Sequence, residues 1–568
     1  MEIIIKNGYV YDPLNNIKGE KMDIAIKDGK IVSPSGIDET EAKIIDASGR
    51  VVMPGGVDLH THIAGTKVNL GRLMTPEEHH KFYLEAIPGI RRSGTGITTP
   101  STMLVGYQYA KMGWTTAIEP AAPPLKIRHT HEELDDTPIL DKACFVLLDS
   151  NRFILEFLEK GEIAKCAAFV AWMLKATKSY AIKLVDPGVA VLWNFGRGYG
   201  LDIDDQISPY NLTPREIVEG LCKVSQMLKL PHPIHVHCNK LGIPGNFETT
   251  LETMRTVSKY TQDEKINIHI THAQFNSYGG VDWTTLKTRA EKIAKYVNSV
   301  NHVSLDTGQI AFGNATTMTA DAPFEYALYH ITKWKWGGSE VENEAAAGVV
   351  PLKYKRNNFV HALQWCIGLE LALLIKDPWK VIMTTDHPNG APFTKYPTVI
   401  SWLMSKNARE KIIEKLNKKA VRTAILPSIE REYTLYEIAI ITRAAPAKLL
   451  GIHYFKGHLG IGADADVAIY DINPKEIDFS KDYEAVEKAF QKALYTIKNG
   501  EIVVRNGEIL QHNYGRTYYV DVKVKEDLME NTLTEVKSKF KEWYTISFEN
   551  YEIHDYELRN PYPIRLEV

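Results

Sequence analysis

The sequence predicts an α/β protein: a parallel (β/α)8 barrel with insertions, carried by a small β domain assembled from both ends of the chain. Two observations point there. Short alternating apolar and polar runs, broken by Asn-Gly, Asp-Gly and Ser-Gly pairs, fill residues 2–53 and return within 464–510; such punctuation marks hairpins. Between these ends, short apolar runs alternate with helical patterns over roughly residues 54–454, the texture of a parallel sheet with crossover helices.

The N-terminal strands come from EIIIKNGYVYD, MDIAIKDGKIV and KIIDASGRVVMPGG, and their partners from DADVAIYD (464–471) and TIKNGEIVVRNGEIL (496–510). The composite β domain is therefore assigned to residues 1–53 plus 455–520, and the barrel to 54–454. Barrel strands are expected at AIKLV (181–185), PIHVHC (233–238), INIHITHA (266–273), NHVSLD (301–306) and KVIMTTD (380–386). Helical patterns lie between them, as at 214–230 and 285–300. LQWCIGLELALLI (363–375) carries Glu370 and is too short to cross a bilayer, so it reads as a buried helix. Residues 521–568, charged and aromatic with a helical pattern at 526–543, read as a C-terminal surface appendage or a subunit contact.

The 568 residues carry a formal net charge of −3, which argues against a nucleic-acid or anionic-membrane surface. Five dispersed cysteines without a CxxC suggest neither a zinc ribbon nor an iron–sulfur site and fit a reducing cytoplasm. The start, MEIIIKNG, lacks the apolar core of a signal peptide, so a cytoplasmic location is expected.

The chemistry begins at PGGVDLHTHIAG (54–65). Residues i and i+2 of a strand share a face, so His60 and His62 can converge on one metal ion. An isolated HxH is usually structural: His129 and His131, amid charges before a helix, have the same spacing and are read that way. The later strands add His235 and His237 in PIHVHC, His272 after INIHIT, Asp386 where KVIMTT breaks into a loop, and Lys183 inside an apolar strand. Lysine is rarely buried without a role. Barrel sites lie at the C-terminal strand ends, where this series falls. Imidazole and carboxylate suit zinc. Two such ions, about 3.5–4 Å apart, polarise a carbonyl and generate hydroxide near neutral pH. An ammonium is no ligand, but carbamylation by CO2 makes Lys183 a bridging carboxylate, and Asp386 is placed to move the proton.

HxH after Pro-Gly-Gly, a strand lysine, two later histidines and a final aspartate resemble the amidohydrolase superfamily, and GHLGIGADADVAIYD (457–471) is similar to that superfamily's return into its small β-sandwich. More specific are WMLKATKSYAIKLVDPG, LPHPIHVHCNKLGIPGNFETTL, THAQFNSYGG, TTMTADAPFEY, DPWKVIMTTDHPNGAPFTKYPTVISWLMS and ITRAAPAKLLG, which resemble the A subunits of formylmethanofuran dehydrogenases and cover most of the chain. That resemblance implies an amidohydrolase-type barrel with a β-sandwich and a binuclear zinc centre bridged by N6-carboxylysine. The implied ligands are His60, His62, Lys183, His237, His272 and Asp386, with Asp386 also the acid–base catalyst. Lys178 rivals Lys183 but sits at a helix end, and His235 rivals His237 from deeper in the strand. His387 departs from the serine usual after the catalytic aspartate. The implied reaction condenses formate with the amine of methanofuran. The implied partners are a tungsten- or molybdenum-pterin subunit that makes the formate from CO2, and iron–sulfur subunits. Arg197, in GRGYG (196–200), and Lys67 are candidates for substrate contact, with Arg72 beside them; His235 is a further candidate, and WKWGG (334–338) reads as a surface turn or a contact between subunits. Two other readings stand against this one: a cyclic-amide hydrolase of the dihydroorotase or hydantoinase kind, and a metal-free scaffold on the same fold.

Overall fold

The computed structural model describes residues 2–194, 196–260, 265–338 and 345–568. Eight parallel strands follow one another around the molecule: β1 (Gly56–Asp58), β2 (Trp114–Ala122), β3 (Asp141–Leu147), β4 (Ala181–Val185), β5 (Ile234–His237), β6 (Ile268–Ile270), β7 (Val303–Asp306) and β8 (Val381–Ile382). Each pairs with its sequence neighbour in parallel register. The ring closes beyond the strand ends, where Thr61 bridges His387 in parallel and the His62 N–H donates to the His387 carbonyl at 2.7 Å. The expected strands β4 to β8 are all present, none longer than its apolar run.

The Pro-Gly-Gly step before β1 has a steric cause. A Cβ on Gly55 would lie 2.3 Å from Thr115 Oγ1, and one on Gly56 would lie 2.4 Å from the Trp114 ring. Only glycine lets β1 approach β2 this closely.

Helices cover the barrel. Pro214–Met227 begins at a capping box between Thr213 and Glu216, which satisfies two otherwise orphaned N–H groups. Phe359–Leu374 is apolar all round and almost wholly buried, as its composition predicts. Its one acid, Glu370, accepts from the Ile425 and Leu426 N–H groups and the Thr288 hydroxyl. No helix among the described residues is long and apolar enough to cross a membrane.

The chain ends build a nine-stranded sheet. Its seam pairs Val51–Pro54 with Val467–Tyr470 in antiparallel register, joining the two terminal regions directly. Asp28-Gly29, Asn499-Gly500 and Asn506-Gly507 turn as expected. Asn7-Gly8 does not: strand Ile3–Asp12 runs through it with a register shift, and a Cβ on Gly8 would lie 2.4 Å from Val52 Cγ2. The pair is a bulge forced by close packing, not a hairpin.

The C-terminal segment is built into the barrel rather than hung from it. Strand Thr517–Lys523 straddles the expected boundary at 520; Thr517 pairs with Lys142 of β3, and the strand runs parallel to Pro561–Glu567. Helix Glu526–Trp543 lies on helix Ile163–Ala176, and Phe540 and Phe548 stack on Phe153 and Trp172. Phe540, Tyr544, Phe548 and Tyr551 of the tail are buried within the same chain, whereas Trp543, Tyr556 and Tyr562 stay exposed.

Candidate metal centre

The C-terminal strand ends surround a cavity of about 350 Å³. His60, His62, Lys183, His237, His272 and Asp386 all line it. His60 follows β1, and its Nε2 lies 3.0 Å from Asp386 Oδ1; His62 Nε2 lies 3.4 Å from the same oxygen. These three donors lie close enough together to share one cation. His237 ends β5, and its Nε2 is buried without a hydrogen-bond partner among the described residues. His272, after β6, takes a left-handed backbone (φ 36°) and leaves its buried Nδ1 equally without a partner. A Cβ on Gly308 would strike His272 Cβ at 2.4 Å, so glycine at 308 makes room for this turn. Lys183 is buried on β4, and its ammonium reaches the Thr271 hydroxyl at 3.4 Å.

Electrostatics agree with ligand roles. Burial pushes the His237 and His272 rings well below the usual imidazole range, so both are neutral and keep a lone pair for a cation. Burial also opposes charge on His60, but Asp306 and Asp386 outweigh it and raise the ring to about 9. Two carboxylates that hold a proton there equally favour a metal cation. Burial would raise the Asp386 carboxyl, yet the charged His60 ring and the hydrogen bonds from His60 and His62 overcome it and hold Asp386 well below the carboxylate range. Burial drives Lys183 down to about 7, against the pull of Asp306 and Asp386. Unpartnered buried nitrogens, neutral imidazoles and an ionised carboxylate form a donor set that fits zinc.

Further groups aim these donors. Glu119 on β2 accepts from His62 Nδ1 at 2.8 Å and from the Ile63 and Ala64 N–H groups. Asp306, ending β7, sits 3.2 Å from both His60 Nδ1 and His269 Nε2 and accepts from the His272 N–H and the Thr384 hydroxyl at 2.8 Å. Asp58 accepts from the His60 N–H and from the hydroxyls of Tyr109 and Tyr396. Asn389 donates to Asp386 Oδ1 at 2.9 Å. Such supports fix ring orientation and ligand basicity.

Residues 43–504 match the amidohydrolase family. The chain belongs to that family. Protein FwdA of Methanocaldococcus jannaschii is 50% identical over 98% of this chain and 97% of its own length. The A subunit of the formyltransferase/hydrolase complex Fhc of Methylorubrum extorquens is 35% identical, with 94% of each chain covered. The crystal structure of the Methylorubrum extorquens FhcABCD complex with methylofuran contains a chain that superposes at a TM-score of 0.89, with 33% identity and full coverage of both chains. These relatives bear out the resemblance to formylmethanofuran dehydrogenase A subunits, and with it the amidohydrolase-type barrel and small β domain.

The amidohydrolase strand ends sort the remaining candidates. Lys67 is buried and lines the cavity. His235 does not line it: fully buried one register step below, it joins His60 Nδ1 at 2.9 Å to His232 at 3.0 Å and touches no substrate space. Arg197 lines a neighbouring groove with Trp193 and Tyr326. Arg72 turns away to Glu133 at 2.7 Å, and Lys178 pairs with Asp555 at 2.7 Å outside the barrel. His131 bonds the Thr177 carbonyl and His129 faces Glu133, both structural as expected. His387 is buried against Phe393, and burial pushes its ring down to about 3; it is a neutral packing group at the barrel seam. Glu119, Asp306 and Asn389 escaped the sequence reading. An acid at the end of an apolar run, as in WTTAIE and NHVSLD, was the available signal.

Proposed function

We propose that this chain is the formyl-transferring subunit of a formylmethanofuran dehydrogenase complex. It condenses formate with the primary amine of methanofuran and cleaves the formamide in reverse. The observation that carries this reading is the convergence of six candidate ligands on one cavity, with His237 Nε2 and His272 Nδ1 making no hydrogen bond among the described residues and Asp321 3.8 Å from His237 Nε2. The near full-length likeness to FwdA and to the A subunit of Fhc supports the same chemistry.

Two zinc ions, held by His60, His62, carboxylated Lys183, His237, His272 and Asp386, would polarise the carbonyl and lower the pKa of water. The chain's own groups do the rest. Lys183, brought to about 7 chiefly by burial, presents an uncharged amine to CO2; a C–N bond forms and a proton leaves. Asp386 stays ionised and takes a proton from the attacking group, then returns it to the group that departs. Cleavage and formation share one transition state, so one site serves both directions. The cavity's largely apolar wall, with Phe275, Trp283 and Phe324, limits water and favours condensation. Arg197, in the adjoining groove, is assigned to the anionic tail of methanofuran. The five cysteines are all buried and form no cluster, so CO2 reduction is assigned to a tungsten- or molybdenum-pterin partner served by iron–sulfur subunits.

The test is formate release from formylmethanofuran by the purified, zinc-loaded chain with no electron acceptor, with dihydroorotate as control substrate. Release that Asp386→Asn abolishes is the expected result. Opening of dihydroorotate instead would move the chain to the cyclic-amide hydrolases. Inactivity on both substrates, also within the intact complex, would leave a scaffold.

A further inference from the structure

Two carboxylates line the cavity among the described residues, Asp386 and Glu325. Asp386 is engaged by His60, His62 and Asn389. Glu325 is not engaged in that way. It lies in the first turn of helix Ala322–Thr332, fully buried, and a Cβ on Gly348 would lie 2.7 Å from its own Cβ. Its Oε2 accepts from the Thr317 hydroxyl at 2.7 Å, while its Oε1 is buried with no partner among the described residues. A buried carboxylate oxygen left unpaired is costly unless something else satisfies it.

The two acids share one wall. Asn389 donates to Asp386 and accepts from the Met318 N–H at 2.5 Å, one residue from Thr317. Glu325 lines the same cavity as Asp386, on a different element from the candidate metal donors. Aromatic side chains of Tyr199, Trp283, Phe324 and Tyr354 line the same cavity. An acid in such surroundings selects a small cationic or hydrogen-bond-donating head on an apolar or aromatic body.

The geometry points to Glu325 as the group that binds the amino group of the formyl acceptor and takes its proton before attack. This inference rests on the reaction proposed above. The step balances. R–NH3+ and the Glu325 carboxylate become R–NH2 and the carboxylic acid. The nitrogen lone pair then forms the C–N bond to the formate carbon. A second N–H proton passes through Asp386, and both protons leave with one formate oxygen as water. In reverse, Glu325 protonates the departing amine. Burial raises the Glu325 carboxyl well above its usual range, with the Thr317 bond opposing. That shift brings its proton affinity nearer an amine's, which eases the exchange.

The test uses the intact, zinc-loaded complex hydrolysing formylmethanofuran, with methanofuran and formate as separate product inhibitors. Glu325→Gln keeps the volume and an oxygen for Thr317 but presents N–H groups to the amine. Its inhibition constant for methanofuran should rise about tenfold or more, and kcat should fall, while the constant for formate stays within twofold. A methanofuran constant within twofold of wild type, or an equal change in both constants, would overturn the assignment; a purely structural role moves both together or neither. Thr317→Val keeps the carboxylate and removes the hydroxyl that aims it, and carries the same readout should Glu325→Gln fail to assemble. A wild-type complex that releases no formate refutes the underlying reaction, and this inference with it; an active wild type with an indifferent Glu325→Gln refutes this inference alone.

Discussion

Glu119 offers the sharpest test of how the metal donors are held. Its Oε1 accepts from His62 Nδ1 at 2.8 Å, and its Oε2 accepts from the Ile63 and Ala64 N–H groups at 2.9 and 3.2 Å. The Nδ1 proton leaves the Nε2 lone pair facing the cavity. Glu119→Gln keeps size and burial but carries one acceptor and one donor. If the amide oxygen serves the two N–H groups, the NH2 meets Nδ1. His62 must then shift its proton to Nε2, where the metal lone pair is needed. If the amide is reversed, two buried N–H donors lose their acceptor, at about 1–3 kcal/mol each. The first arrangement is cheaper for the fold and worse for the metal. Loss of such an outer carboxylate costs about 10–100-fold in metal affinity. Competition between purified protein and a zinc chelator reads that change directly, with a thermal melt to show that the fold persists. Zinc affinity within twofold of wild type in a folded Glu119→Gln protein would refute Nε2 ligation by His62.

Asp386→Asn should lower kcat for formamide hydrolysis by about 10²–10⁴ with zinc content partly kept, as assayed by formate release and metal analysis. Lys183→Ala should lose bound zinc; retained zinc and full activity would return the modified lysine to Lys178. Asp141 holds Lys456 and Lys498 where barrel and β domain meet, all three fully buried, so Asp141→Asn should cost about 3–5 kcal/mol by chemical denaturation. Glu370 gives the pH signature: burial raises its carboxyl to about 7, whereas an unfolded glutamate titrates near 4.3. Between those values the folded state binds more protons, so the contribution of Glu370 is full below about pH 4.3 and is lost as pH rises to about 7. Subtracting the Glu370→Gln melting curve from the wild type across this window should leave a falling stability difference, and a flat or rising one would contradict the assignment.

The chemistry of the site was legible in the sequence because metal ligation restricts residue types severely. HxH in PGGVDLHTH, HVH in PIHVHC, a lysine inside AIKLV and TTD at the end of an apolar run each carry a donor at a strand end, where barrel geometry makes them converge. Residues of the same type on the same face were ranked from strand position alone, His237 ahead of His235, and the structure supplies the physical reason. His235 and His237 both point into the barrel, and only the closing of the ring puts His237 at the cavity and His235 beneath His60. Lys67 and Arg72 share helix Thr66–Met74 and Arg197 sits in a glycine-rich loop, and only packing sends one into the cavity, one to Glu133 and one to a side groove. The tail needed the structure for a related reason: aromatic residues that bury against helix Ile163–Ala176 are indistinguishable in composition from those of an interface. Local pattern determined the fold class, the order of strands and the set of candidate donors, since these follow from periodicity and bond chemistry. Tertiary structure alone decided which acids support the donors. Glu119 and Asp306 come from two distant strands, and a buried carboxylate acquires its partner, and so its role, only when the barrel closes around it.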